Sequence, residues 1–166
     1  MLMLVPMPIQ TQTKFWLMKS EPSVYSIDCL RKDQKTLWTG VRNYQARNFM
    51  TTDMRPGDQV FFYHSSAEPP GIAGLAKVAS LAVPDPSAFD KKSEAFDPKS
   101  TKEKPIWFCV EIQFVKRFSR LLELSKIKAH KSLQELLLLR PGQRLSIQPV
   151  SAKDFQTLLE LSAQVD

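Results

Sequence analysis

Five short apolar runs, at residues 14–20, 59–65, 71–80, 106–118 and 144–150, most limit what this chain can fold into. Each is strand-like in length and composition and stops at a turn signal. The first, "KFWLMKS", ends at Glu21-Pro22, because proline removes a backbone donor and pushes its predecessor away from helix. The second and third, "QVFFYHS" and "GIAGLAKVAS", are separated by Ala67-Glu68-Pro69-Pro70, which no ladder can cross. Gly71 and Gly74 predict a bulge or a close backbone approach. In the fourth and longest, strand alternation sets Trp107 and Cys109 on one face and Phe108, Val110, Ile112 and Phe114 on the other. The last is "RLSIQPV".

Helical patterns fall between these runs without regular alternation. "SVYSIDCLRKD" offers Ser23 and Ser26 as N-caps, Asp28 in the first turn and Arg31-Lys32 at the far end. Val41, Tyr44, Ala46 and Phe49 lie at roughly helical spacing until the turn "RPGD". A Ser-x-x-Glu capping box, Ser132 to Glu135, opens "SLQELLLLRPG", and Ser151 caps a terminal amphipathic helix. Residues 81–105 are rich in Pro, Asp, Ser and Lys, with only Phe89 and Phe96 as large anchors, and predict a functional or mobile excursion. No Gly-rich phosphate loop follows any strand, which excludes a dinucleotide-binding doubly wound sheet. The expectation is an α+β fold, a mixed and partly closed β-barrel decorated by helices.

At 166 residues one domain is the default, placed at 14–166, with the apolar "MLMLVPMPI" read as part of a flexible tail over 1–13. That tail lacks a basic n-region and a cleavage site, so it is not read as a signal peptide. No run approaches the ~20 apolar residues of a membrane helix. Cys29 and Cys109 are far apart and set among apolar residues, which predicts free thiols in a reducing cytoplasm. The formal net charge of +6 favours polyanionic partners, nucleic acids above all. The excess sits at the ends: residues 1–50 hold seven Lys/Arg against three Asp/Glu, and 101–166 eleven against seven.

Reagents for catalysis are scarce. The two histidines are His64 and His130, and neighbours on a strand point to opposite faces, so His64 and Ser65 cannot form a nucleophile–base pair. No metal-ligand spacing occurs, and no cofactor is expected. Asp85, Asp90, Glu94 and Asp97 are close in sequence, but their lysine-rich loop reads as a solvated one. Binding chemistry is better supplied. A protein that holds a base outside a strand or duplex needs aromatic faces and short polar groups. Trp16, Trp38, Tyr44, Tyr63 and Trp107 offer faces; Ser20, Thr39, Asn43, His64, Ser65 and Gln148 offer edges; Lys19, Arg42 and Arg47 offer cations for phosphates. Trp16 and Trp107, inside apolar runs, read first as core. Trp38 stands at a loop junction before Thr39-Gly40, where a ring can stay half exposed.

The blocks "FWLMKSEPSVYSIDCL", "LWTGVRNYQARNFM", "GDQVFFYHSS", "PGIAGLAKV", "FDPKS", "PIWFCVEIQFV" and "LLLLRPGQRLSIQPVSAKDF" resemble, in order, the motifs of the EVE domain. The resemblance covers nearly the whole chain from Lys14. It implies a PUA-like fold, a mixed β pseudo-barrel with peripheral helices, related to the YTH and ASCH domains. It also implies a non-catalytic reader of a modified base, chiefly modified cytosine in DNA, held flipped in a pocket. By the same resemblance Trp38 matches a cage tryptophan, with Lys19, Ser20 and Thr39 beside it. Residues 63–65, Tyr63 to Ser65, and 144–150, including Arg144 and Gln148, would line the pocket mouth, and Asn43 would read the base edge. The rival readings are a general PUA-type RNA-binding module, an enzyme of modified nucleotides or small molecules using His64, and a small-metabolite binder.

Overall fold

The computed structural model describes residues 12–164, so most of the tail expected at 1–13 lies outside the described residues. Six strands form one sheet: β1 (Phe15–Ser20), β2 (Lys35–Leu37), β3 (Gln59–His64), β4 (Gly71–Val78), β7 (Glu111–Glu123) and β8 (Ile147–Val150). Their order is β2-β7-β4-β3-β1-β8, and β5 (Val83–Pro84) pairs with β6 (Phe108–Cys109) in a separate ribbon. β1 runs parallel to β3, while the other neighbours in the sheet are antiparallel. The result is a mixed sheet curled into a half-barrel, as expected.

The strand runs lack alternation because the sheet is buried on both faces. Trp16 and Met18 of β1 and Val60 and Phe62 of β3 enter one core, which α1 (Ile27–Asp33) covers through Ile27 and Leu30. α2 (Tyr44–Asn48) and the π turn after it, Phe49–Asp53, add Ala46 and Met50. Leu17, Phe61 and Tyr63 point the opposite way, into a second core with Ile127 of α3 (Leu124–Ala129) and Phe155 and Leu158 of α4 (Ala152–Gln164). Among the described residues no helix is long and apolar enough to cross a membrane.

Four local expectations are corrected. The fourth apolar run breaks at Val110, whose carbonyl accepts from Trp38 N–H at 2.8 Å, so Trp107 precedes the strand. Residues 132–140 form no α-helix but two 3₁₀ turns, Lys131–Leu133 and Leu137–Leu139. His130 caps the first of them by accepting from Ser132 N–H, which displaces the expected capping box, and the second, after Leu136, has no side-chain cap. The acidic stretch is not simply solvated, because the Asp85 side chain is fully buried. The expected glycine contacts are present: a Cβ on Gly71 would strike the Leu122 carbonyl, and one on Gly74 the Lys116 carbonyl.

Candidate functional site

A cleft of about 500 Å³ opens where the half-barrel fails to close. One wall is the edge strand β2 with Thr36 and Leu37; the other is the end of β1 with Lys19 and Ser20, beside Ser146. Lys19 N–H donates to the Ser146 carbonyl at 2.8 Å, extending the β1–β8 ladder to the cleft. The cleft thus draws on both edges of the sheet. Glu21, Val24 and Tyr25, which follow β1, and residues 38–42, after β2, complete it.

Trp38 is buried, at 8% exposure, so the half-open ring expected at this junction is corrected to a wall anchored in the core. Its ring meets Phe62 edge-on, with centroids 5.6 Å apart at 87°, a favoured geometry for aromatic quadrupoles. Val24, 77% exposed, and Leu37 leave apolar surface at the rim. Ser20 Oγ donates to the Tyr25 carbonyl at 2.6 Å, tying the turn to the strand. Tyr25 Oη donates to Asp33 at 2.9 Å, and burial with that carboxylate pushes its phenol up to about 12. Lys19 has no ion-pair partner among the described residues. Its ammonium lies 5.9 Å from the Tyr63 ring centroid, and burial lowers its pKa.

The wall at 38–42 is held from outside by the 81–105 excursion. Gly40, at φ 85°, turns where a side chain would be strained, and its N–H donates to Asp85 at 2.8 Å. Arg42 pairs with the same carboxylate at 3.0 Å and donates to Val41, Ser87 and twice to the Ala95 carbonyl. All five guanidinium donors are therefore engaged, and Arg42 braces the cleft instead of waiting for a phosphate. Burial pushes the Asp85 carboxyl up, but bonds from Ser87, Gly40 and Arg42 outweigh it and hold the pKa below its usual value.

The structure brings Trp38, Ser20, Thr39, Lys19 and Arg42 together around the cleft. The other expected site residues do not line it. Asn43 instead caps α2, its Oδ1 accepting from Ala46 N–H at 3.0 Å. Tyr63 is buried in the second core. His64 Nε2 accepts the Ile27 N–H at 3.1 Å, and Ser65 N–H donates to the Ser20 carbonyl. Gln148 is buried and donates to the Leu145 carbonyl. Arg144 is exposed near the turn at Gly142, and Arg47 lies beyond Arg42 on the outer surface. Sequence reasoning missed Glu21, Val24, Tyr25, Thr36, Leu37, Val41 and Ser146 as lining residues. Val24, an apolar residue stranded between serine caps, was the one legible signal.

A mixed sheet curled into a half-barrel with a few helices is a PUA-like fold. A structure of an ASCH protein from Zymomonas mobilis shares this fold at a TM-score of 0.53 and 10% identity, covering 89% of this chain and 98% of that one. The EVE domain model matches residues 14–161, and the chain belongs to the EVE domain family. It is 40% identical to human thymocyte nuclear protein 1 over 172 residues, 92% of this chain and 76% of that protein. A hypothetical protein from Leishmania major superposes at a TM-score of 0.88 with 47% identity, covering 92% of this chain and 96% of that one. The human THYN1 protein in complex with 5-methylcytosine-containing DNA superposes at 0.83 with 41% identity, covering 90% and 98%.

Proposed function

We propose that this protein is a non-catalytic reader that binds DNA carrying a modified cytosine and takes the marked base, flipped out of the stack, into the cleft at the seam. The observation that carries this reading is the cleft itself. Its volume lies within the range of small-ligand sites, and the core-anchored Trp38 forms one wall. The human THYN1 structure supports DNA with modified cytosine as the partner, since that relative was solved with 5-methylcytosine DNA. Ser20 and Thr39 meet the base edge. Lys19, with no carboxylate partner among the described residues, meets backbone phosphate. The apolar rim at Val24 and Leu37 accommodates a small added group.

A methyl group in an apolar pocket gives about 1–3 kcal/mol of discrimination, so selectivity of about 10- to 200-fold is expected. The test is binding at one fixed salt concentration to matched oligonucleotides carrying plain, 5-methyl- or 5-hydroxymethyl-cytosine, as DNA and as RNA. Trp38→Ala and the surface variant Leu37→Ser are both expected to erase the margin for the marked strand. Leu37→Ser keeps the test valid where loss of a core tryptophan impairs folding. Equal affinity of the native protein for every DNA strand overturns the reading. Preference for ribose strands whatever the mark favours the RNA-binding alternative.

A further inference from the structure

Trp107 lies in neither hydrophobic core, although it is only 5% exposed. Its ring is the middle of a ladder on the outer surface. The Arg42 guanidinium lies 5.2 Å from the Trp107 ring centroid, Tyr44 stacks on Trp107 with centroids 4.9 Å apart at 26°, and the Arg47 guanidinium lies 4.8 Å from the Tyr44 centroid. Asp97 fixes the indole by accepting from its Nε1–H at 2.8 Å. One end of the ladder, Arg42, lines the seam cleft. The other end, Arg47, lines a separate groove of about 460 Å³ with Asn48, Thr51, Ile106 and Phe108.

Two features of this ladder exceed what the fold needs. Tyr44 sits on Trp107 yet stays 60% exposed, a large aromatic surface left in water. Arg47 spends three of its five donors on Asn48 Oδ1 and the Ile106 carbonyl; its other two donors have no protein partner among the described residues, and it forms no ion pair there. A flat aromatic held from behind, beside a cation with free donors, is the arrangement that binds polynucleotide without reading sequence. Protein partners would need a carboxylate for Arg47 and apolar side chains for Tyr44. A nucleotide offers phosphate and π-surface on adjacent atoms.

We propose that Tyr44, Arg47 and the groove beside them form a second nucleic-acid subsite, which stacks an unpaired base flanking the one in the seam cleft and contacts its phosphate. This rests on the reading of the protein as a nucleic-acid binder, though not on recognition of any mark. The subsite raises affinity for marked and plain strands equally, because every base has a π-face.

The test uses the full chain and single-stranded oligonucleotides with one central cytosine, plain or 5-methylated, whose neighbours are intact or abasic. Tyr44→Ala is expected to weaken both intact strands by about tenfold, the scale of one lost stacking contact. Tyr44→Phe should restore affinity, and abasic neighbours should cost the Tyr44→Ala protein nothing further. Arg47→Gln should lower affinity and reduce the slope of log affinity against log salt by about one. The subsite is overturned if Tyr44→Ala and Arg47→Gln both bind all strands as the native protein does. Loss of affinity in these variants with no preference for the mark leaves the subsite standing and removes the modified-base reading. The converse result removes the subsite alone. Failure of the native protein to bind any strand overturns both.

Discussion

Arg42 and Arg47 carry the same side chain on one short segment and have opposite environments. Sequence reasoning offered both to phosphates, Arg42 because it begins a helix directly after Gly40, and Arg47 only behind a surface ion pair as the first reading. The partner of Arg42, Asp85, arrives from a loop whose lysines made it look solvated, a contact between distant residues that local pattern does not carry. Removing Asp85 would leave a guanidinium three-quarters buried, its side chain only 24% exposed, and orphan the Gly40 N–H. Breaking one side of such a pair costs about 3 kcal/mol. Asp85→Ala is therefore expected to lower the unfolding free energy measured by urea titration by that amount and to weaken binding at the cleft, whose 38–42 wall it anchors. Because the folded-state pKa of Asp85 lies below its ordinary value, its stabilisation is present above the usual carboxylate range. It is lost as pH falls from about 4 through the folded value. Asp85→Asn should show a shallower loss of stability over that acid range, followed by thermal melting.

At the scale of elements, strands with large apolar residues were legible and short or irregular ones were not. β2 is three residues long with exposed Lys35 and Leu37, too brief for periodicity to register, yet it forms a wall of the cleft. The leucine run at 136–139 reads as helix by propensity, but tertiary packing limits it to one 3₁₀ turn, Leu137–Leu139, with Leu136, Leu138 and Leu139 on the second core and Leu137 on the first. The junction of β3 and α1 was also unreadable, because His64 and Ile27 meet only in three dimensions. There His64 Nε2 accepts the first backbone N–H of α1, a donor with no partner inside the helix. Burial lowers the His64 pKa, opposed by Asp28 and assisted by Arg117, which are ion-paired at 2.8 Å. Protonation converts the acceptor to a donor and breaks the bond. A group whose folded pKa is lowered stabilises fully above its unfolded value of about 6.5, and that contribution fades as pH falls toward the folded one. The melting temperature should therefore drop between pH 7.5 and 5, and His64→Gln, which keeps an acceptor without titrating, should flatten the drop. Identical pH profiles for both proteins would remove His64 from this role.

For the whole molecule, the cleft is a consequence of curvature. A flat six-stranded sheet would hold its edges far apart; here β2 and the β1–β8 edge both reach one cavity. The ladder is irregular on both sides of β4, with register shifts against β7 between Ile72 and Gly74 and between Leu75 and Ala76, and against β3 between Phe62 and Tyr63. Bulges of this kind raise local twist and turn a sheet toward closure. Gly71 and Gly74 were readable from sequence as points of close approach; that Gly71 would stand two strands from Ser20 at the cleft, across His64, was not, since that register joins strands distant in the chain. Gly74 does not line the cleft, yet a Cβ there would strike the Lys116 carbonyl and meet Ile27 of α1 at 3.0 Å. Since backbone cannot yield as a flexible side chain can, Gly74→Ala should open the β4–β7 crossing and cost about 1–3 kcal/mol. A merely destabilised protein would keep native affinity well below its melting temperature. If curvature sets the cleft, Gly74→Ala will still bind the marked oligonucleotide more weakly at low temperature, with circular dichroism showing it fully folded. Native affinity in that folded variant would mean that the 38–42 loop and its Asp85 brace shape the cleft without the bend.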